Sequence, residues 1–159
     1  MIEAVFLDID GILTDGAVYV DESGKESKRI LFDDIDAVFE FKRAGFKIGF
    51  ITGEDTPFCD FVRRRFEPDF FVSGCKDKLT AFKTLAEANG LDKEKVCYAG
   101  DSKKDIALLK HVAHSFAPED VHPDVKQSAK TVLTARRGQG VIREMAEHIF
   151  KLIKASTPS

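Results

Sequence analysis

A chain of 159 residues, 43% hydrophobic and 32% charged, can bury one real core and suits a single domain. Its formal net charge of -3 gives no support for nucleic-acid binding, and no apolar run is long enough to cross a bilayer. Cys59, Cys75 and Cys97 fall in no C-x-x-C pattern and read as reduced packing thiols of a cytoplasmic protein, without a secretory leader.

The first predicted strand, Glu3–Leu7, runs into Asp8-Ile9-Asp10-Gly11. Residues two apart on a strand share a side, so Asp8 and Asp10 leave the strand end pointing together. Two close carboxylates repel, and a shared proton or a cation must offset that. The pair suits a hydrolase in which one carboxylate attacks phosphorus and the other moves the protons. Taken alone, the same four residues also fit a plain turn after a buried strand.

A β-hairpin follows: Ala17–Val20, a turn at Asp21-Glu22-Ser23-Gly24, and a return leg from Glu26 to Phe32. A helix over Ile35–Ala44 stops at Gly45. The second core strand, Lys47–Ile51, ends in Thr52-Gly53, where a hydroxyl and adjacent N–H groups can hold a phosphate oxygen. Glu54, one residue on, lies at the rim and can accept hydrogen bonds from sugar hydroxyls. The helix Pro57–Phe66 carries Arg63-Arg64-Arg65, a solvated basic face or a contact for an anionic substrate.

After a strand at Phe70–Val72, Lys78 opens a helix to Asn89, where its cation can sit beside phosphate and nucleophile. The strand Val96–Ala99 runs into Gly100-Asp101-Ser102-Lys103-Lys104-Asp105, with a helix over Lys103–Lys110. That spacing puts one carboxylate at a strand end and one on the first helical turn. With Asp8 they make an oxygen-rich site for magnesium, a hard cation. The remaining elements are a strand at His114–Phe116, a helix at Pro123–Ser128, a strand at Thr131–Leu133 and a helix at Gly140–Lys154. Ala155–Ser159 reads as a frayed tail.

Short apolar strands alternating with amphipathic helices predict an α/β, Rossmann-like parallel sheet with helices on both faces. Residues 1–154 read as one domain, with the hairpin at about 17–32 inserted in it. In such sheets ligands bind beyond the carboxyl ends of the strands, where Asp8, Thr52 and Asp101 all fall.

Together, Asp8-Ile9-Asp10-Gly11, Thr52, Lys78 and Gly100-Asp101-Ser102-x-x-Asp105 resemble the four motifs of the haloacid dehalogenase superfamily, in family order. The resemblance implies that Asp8 is the nucleophile and Asp10 the general acid/base. It implies that Thr52 and Lys78 bind the transferring phosphoryl group. Magnesium would be held by Asp8, the backbone carbonyl of Asp10 and Asp101, with Asp105 supporting the metal and its waters.

Many relatives carry a cap domain; here Asp10 and Thr52 are too close in sequence to hold one, and the hairpin stands in its place. This capless layout resembles the phosphatases of 3-deoxy-2-keto sugar acid phosphates, which act on octulosonate 8-phosphate or on nine-carbon, sialic-acid-like 9-phosphates. The matching residues are Leu13-Thr14-Asp15-Gly16, Ile51-Thr52-Gly53, Asp77-Lys78 and Arg137-Gly138-Gln139-Gly140-Val141-Ile142-Arg143-Glu144. The resemblance implies a small-molecule substrate and a homo-oligomer, a tetramer whose hairpins and C-terminal segments close neighbouring sites. Gly53, Glu54, Arg63, Arg65 and Arg143 are the implied sugar-binding candidates.

The octulosonate enzymes usually have Thr-Gly-Arg at the second motif. Glu54 in this chain looks instead like the nine-carbon branch, and Ser102 replaces the usual second aspartate of the fourth motif. The segment Ile142–Phe150 also resembles the tail domain of sialic acid cytidylyltransferases, which leaves a non-catalytic assembly role as the alternative reading. A phosphotransferase would differ only in what attacks the aspartyl-phosphate, and the missing water-excluding cap favours water.

Overall fold

The computed structural model describes residues 1–157. In chain order the elements are β1 (Ala4–Leu7), β2 (Tyr19–Val20), β3 (Glu26–Ser27), α1 (Phe32–Arg43), β4 (Lys47–Ile51), α2 (Pro57–Phe66), β5 (Phe70–Val72) and α3 (Lys78–Asn89). Then come β6 (Val96–Ala99), α4 (Ile106–His111), β7 (His114–Ala117), α5 (Pro123–Ser128), β8 (Thr131–Val132) and α6 (Val141–Ser156). Single 3-10 turns at Lys93–Lys95 and Lys103–Asp105 precede β6 and α4.

Six strands form one parallel sheet in the order β5-β4-β1-β6-β7-β8. The chain winds outward from β1 through β4 to β5, then returns to β6 on the other side of β1. The topological switch therefore lies between β1 and β6, where a crevice opens at the carboxyl ends. Register makes that edge compact: Leu7 pairs with both Phe50 and Ala99, so β1, β4 and β6 end level with one another. Asp8, Thr52 and Gly100-Asp101 are the residues that leave them.

Alternation along the strands explains why both faces are covered. Val5 and Leu7 of β1, Ile48 and Phe50 of β4 and Cys97 and Ala99 of β6 join α1, α2 and α6 in one buried cluster. Ala4 and Phe6, Val96 and Tyr98 point the other way, into a cluster with Phe82 of α3, Leu108 and Leu109 of α4 and Val125 of α5. Strands apolar on both faces can live only in the middle of such a sandwich.

Beyond one- or two-residue shifts at strand and helix ends, three boundaries differ from the sequence reading. The return leg of the hairpin pairs only at Glu26–Ser27, with a single bridge between Thr14 and Ile30; Phe32 already belongs to α1. Asp33 and Asp34 in its first turn suit the positive end of a helix. Asp34 is also fully buried, and its Oδ1 accepts the Arg143 N–H at 3.0 Å, tying α1 to the start of α6. Its Oδ2 has no partner, and burial pushes the carboxyl up to about 6. At the C-terminus α6 continues to Ser156, so Ala155 and Ser156 are helical, not frayed; Pro158 and Ser159 lie outside the described residues. The segment Lys103–Lys110 divides into the 3-10 turn and α4, because Ser102 and Asp105 cap each other across that turn.

Among the described residues no helix is long and apolar enough to cross a membrane, and Cys59, Cys75 and Cys97 are free thiols.

Candidate active site

Asp8 leaves β1 with its amide N–H bonded to Ala99 O of β6, which fixes the backbone at the switch point. Its Oδ1 accepts the Ile9 N–H at 2.8 Å and lies 3.0 Å from Lys78 Nζ. Lys78 Nζ also donates to Asp105 Oδ1 at 2.7 Å. Asp8, Lys78 and Asp105 are all buried, so these charges act in a poorly screened setting.

Asp105 is the anchor of the site. Its Oδ1 also accepts the Tyr98 hydroxyl, and its Oδ2 accepts the backbone N–H groups of Asp101 and Ser102 at 3.0 Å each. Ser102 Oγ adds a longer contact at 3.3 Å. One carboxylate thus holds the whole Gly100–Ser102 turn against the sheet. Gly100 is required by this packing, since a Cβ there would come within 2.6 Å of the Asp105 side chain.

Asp101 projects from that turn toward Asp8. Oxygen atoms of Asp8, Asp101 and Asp105 all lie within 4.8 Å of one another, a set of hard donors suited to a divalent cation. The glycine of the first motif makes room for it: Gly11 has φ of +90°, and a Cβ there would fall 1.8 Å from Asp101 Oδ2. Burial raises the Asp8 carboxyl well above its ordinary range; Asp105 and Asp101 add to that, and Lys78 opposes it. Burial likewise pushes Asp101 up to about 6. Burial disfavours the Lys78 ammonium, but Asp8 and Asp105 outweigh it and raise its pKa. Asp105 is buried too, yet Lys78 holds its carboxyl below the usual value. Two carboxylates with raised proton affinity around one committed lysine mark a site short of positive charge.

Asp10 does not point together with Asp8 as strand spacing predicts: β1 ends at Leu7, so Asp10 lies in the turn beyond it and faces the hairpin side of the same pocket. Its Oδ1 accepts from Lys28 Nζ of the hairpin at 2.8 Å and from Thr14 Oγ1 at 3.4 Å. Thr52 is buried, with its Oγ1 accepting the Glu54 N–H at 3.2 Å. Asp8, Asp10, Gly16, Thr52, Gly53, Glu54, Lys78, Asp101, Ser102 and Lys104 line one pocket of about 220 Å³. A second hollow of about 330 Å³ shares Asp10, Gly16 and Glu54 with it and continues under the hairpin to Glu26, Lys28 and Thr56. A hollow of about 510 Å³ lies near Met1, His114 and Leu152, at the opposite end of the sheet, but among the described residues no carboxylate cluster lines it.

The structure therefore brings Asp8, Asp10, Thr52, Gly53, Glu54, Lys78 and Asp101 to one pocket, with Asp105 directly behind. It does not bring Arg63, Arg65 or Arg143 there. Arg63 bonds Asp60 and Ser73 and stacks over Phe71, and Arg65 lies over Phe39. Arg143 pairs with Glu40 and donates to Asp33 O, clamping α6 on α1.

Several participants had no local sequence signal. Lys28 reaches Asp10 only because the hairpin folds back. Arg137 Nη1 lies 3.6 Å from Asp101 Oδ2 while its Nε and N–H hold Asp120. Tyr98 sits on β6, seven residues before the Asp105 carboxylate that its hydroxyl reaches, a separation at which no local pattern pairs them.

A family model described as haloacid dehalogenase-like hydrolase matches residues 69–145, the half that contains Lys78, Asp101 and Asp105. Among curated proteins, the 3-deoxy-D-manno-octulosonate 8-phosphate phosphatase of Haemophilus influenzae is 30% identical over 153 residues, 94% of this chain and 83% of the relative. The enzyme of the same name from Escherichia coli K12 is 28% identical over 146 residues, 92% of this chain and 78% of the relative. Among solved structures, the Moraxella catarrhalis phosphatase of that name, in complex with magnesium, phosphate and the KDO molecule, superposes with a TM-score of 0.89. It is 25% identical and covers 94% of this chain and 86% of its own. The cobalt-bound Haemophilus influenzae phosphatase gives 0.88 at 29% identity, covering 94% and 88%.

Proposed function

The chain belongs to the 3-deoxy-D-manno-octulosonate 8-phosphate phosphatase family of haloacid dehalogenase-like hydrolases, and from that premise we propose that it hydrolyses the phosphate monoester of a 2-keto-3-deoxy sugar acid. It is a phosphoric monoester hydrolase, and its cofactor is magnesium. The observation that carries the reading is the single pocket holding Asp8, Asp10, Thr52, Lys78 and Asp101 together. A non-catalytic assembly domain would have no use for that complete set.

The donor set fits the metal: carboxylate oxygens of Asp8, Asp101 and Asp105 within 4.8 Å of one another, and no thiol or imidazole among them. Asp8 and Asp101 would hold it, since both Asp105 oxygens are already occupied by Lys78, Tyr98 and the backbone. Magnesium, when bound, offsets the charge of the approaching phosphate and carboxylates.

In the proposed mechanism an Asp8 oxygen attacks phosphorus as the bond from phosphorus to the sugar oxygen breaks. The Asp10 carboxyl gives its proton to that leaving oxygen. The Asp10 carboxylate then takes a proton from water, whose oxygen attacks the aspartyl-phosphate and releases inorganic phosphate and free Asp8. Lys78 steadies the anionic phosphoryl group from a fixed position, and Thr52 and the Gly53 backbone supply hydrogen bonds to its oxygens.

The octulosonate 8-phosphate and the nine-carbon 9-phosphates are the substrate candidates. The relatives favour the former; Glu54, at the junction of the two hollows, favours the latter. The working unit is a homo-oligomer, a tetramer, in which a neighbour covers the hairpin. Support comes from Val18, Tyr19, Val20 and Phe32, all exposed apolar or aromatic side chains. A phosphate-release screen over both substrate classes tests the function: turnover of at least one far above that of generic phosphomonoesters is expected, and turnover of neither refutes it.

A further inference from the structure

The pocket's cations are unequally occupied. Lys78 is committed to Asp8 and Asp105, and Lys28, just outside, to Asp10. Lys104 lines the same pocket and, among the described residues, its side chain makes no hydrogen bond or ion pair. Four carboxylates line the pocket with it: Asp8, Asp10, Glu54 and Asp101. A substrate bearing a phosphate adds still more negative charge, and one with a carboxylate more again.

Two further observations separate Lys104 from an ordinary surface lysine. It sits between Ser102 and Asp105 on the turn those two residues cap, and Asp105 is among the most heavily bonded side chains of the molecule. Its backbone position is therefore rigid relative to Asp8 and Asp101. Lys103, its neighbour on the same three-residue turn, does not line the pocket, so it is the position of Lys104, not the basic pair as such, that meets the site.

We propose that Lys104 is a substrate-binding residue: its ammonium captures an anionic oxygen of the incoming molecule, from either the phosphate or the sugar acid carboxylate. The assignment rests on the phosphatase reading above. A lysine suits this task because its long stem lets a point charge follow the anion in and out of an open pocket.

The test compares wild type, Lys104→Gln and Lys104→Arg, all with magnesium. Three probes are used: octulosonate 8-phosphate, p-nitrophenyl phosphate, which lacks a carboxylate, and inorganic phosphate as product inhibitor. Lys104→Gln should raise KM about tenfold, more than it lowers kcat, as expected for loss of one charge-assisted hydrogen bond, and Lys104→Arg should restore most of it. A matching rise for p-nitrophenyl phosphate and in the phosphate inhibition constant assigns the contact to phosphate. A rise confined to the sugar acid substrate assigns it to the carboxylate. KM and inhibition constants within twofold of wild type on every probe would overturn the proposal, as would a loss in kcat alone that arginine does not restore. If wild type cleaves p-nitrophenyl phosphate but no sugar acid phosphate, the substrate reading fails separately, and the phosphate arms still decide the role of Lys104.

Discussion

Asp8, Lys78 and Asp105 are each at most 5% exposed, whereas Val18, Tyr19 and Val20 on the neighbouring hairpin are 46%, 53% and 58% exposed. The first group sits where three parallel strands end level, and every charge in it has a fixed partner. The second sits on a ribbon of two-residue strands, too short to be stable by itself. Chemistry needs donors and charges that do not reorganise when the reaction occurs, and the sheet edge provides that. On the proposed reading, recognition of a particular sugar falls to a thinner structure that a neighbour would complete. The contrast predicts that changes at the sheet edge abolish turnover of all substrates, whereas changes at the hairpin and rim redistribute it.

The largest effect should come from Asp8→Asn, which removes the attacking oxygen's charge without changing its shape. Phosphate release should fall by at least ~10³-fold on every substrate, with the fold intact by circular dichroism. Next comes removal of the metal. Chelation should stop turnover and added magnesium restore it. Magnesium at about a hundred times its dissociation constant should also raise the melting temperature by several degrees, through relief of the Asp8–Asp101 repulsion.

A charge on the hairpin should act differently. The double variant Val18→Asp, Val20→Asp should shift light scattering toward the monomer. It should lower turnover of keto sugar acid phosphates more than that of p-nitrophenyl phosphate. An unchanged oligomer, or equal losses, would break the contrast. Glu54→Arg should shift the ratio of kcat/KM between eight- and nine-carbon substrates about tenfold. Hydrolysis of p-nitrophenyl phosphate should move much less.

The smallest effect on turnover should come from Asp34, far from the pocket. Burial raises its folded-state pKa to about 6 from 3.8. The folded protein thus binds this proton more tightly than the unfolded chain, so the group's contribution is most favourable below about pH 4 and is lost as pH rises to about 6. The difference corresponds to at most ~3 kcal/mol. Thermal melts of Asp34→Asn and wild type should therefore diverge as pH rises from 4 to 7, with the variant gaining.

Much of the sheet edge was legible because it is written in short segments. Asp8 and Thr52 follow directly after an apolar strand and Asp101 one residue later, so finding the strand finds the residue. The layer arrangement followed from the same alternation of Val5 and Leu7 against Ala4 and Phe6. What was not legible depends on long-range approach. Lys28 meets Asp10 across a fold-back of the hairpin, and Arg137 meets Asp101 and Asp120 through a loop near the C-terminus. No periodicity encodes such meetings. Arg143 shows the converse: of its two readings, a salt bridge or a contact to a neighbouring site, the single chain displays the salt bridge, to Glu40 of α1, with Asp33 O at the start of that helix as a further acceptor. The hairpin was read too long because Ile30 and Phe32 alternate like a strand, while Asp33 and Asp34 start a helix there.

The central claim is that Asp8 takes the phosphoryl group. Its most direct test is rapid acid quenching during turnover of a keto sugar acid phosphate with magnesium, followed by peptide mapping by mass spectrometry. The account predicts a phosphoryl group on the peptide containing Asp8, convertible to homoserine at that position by borohydride. Steady turnover with the label on any other residue would contradict it.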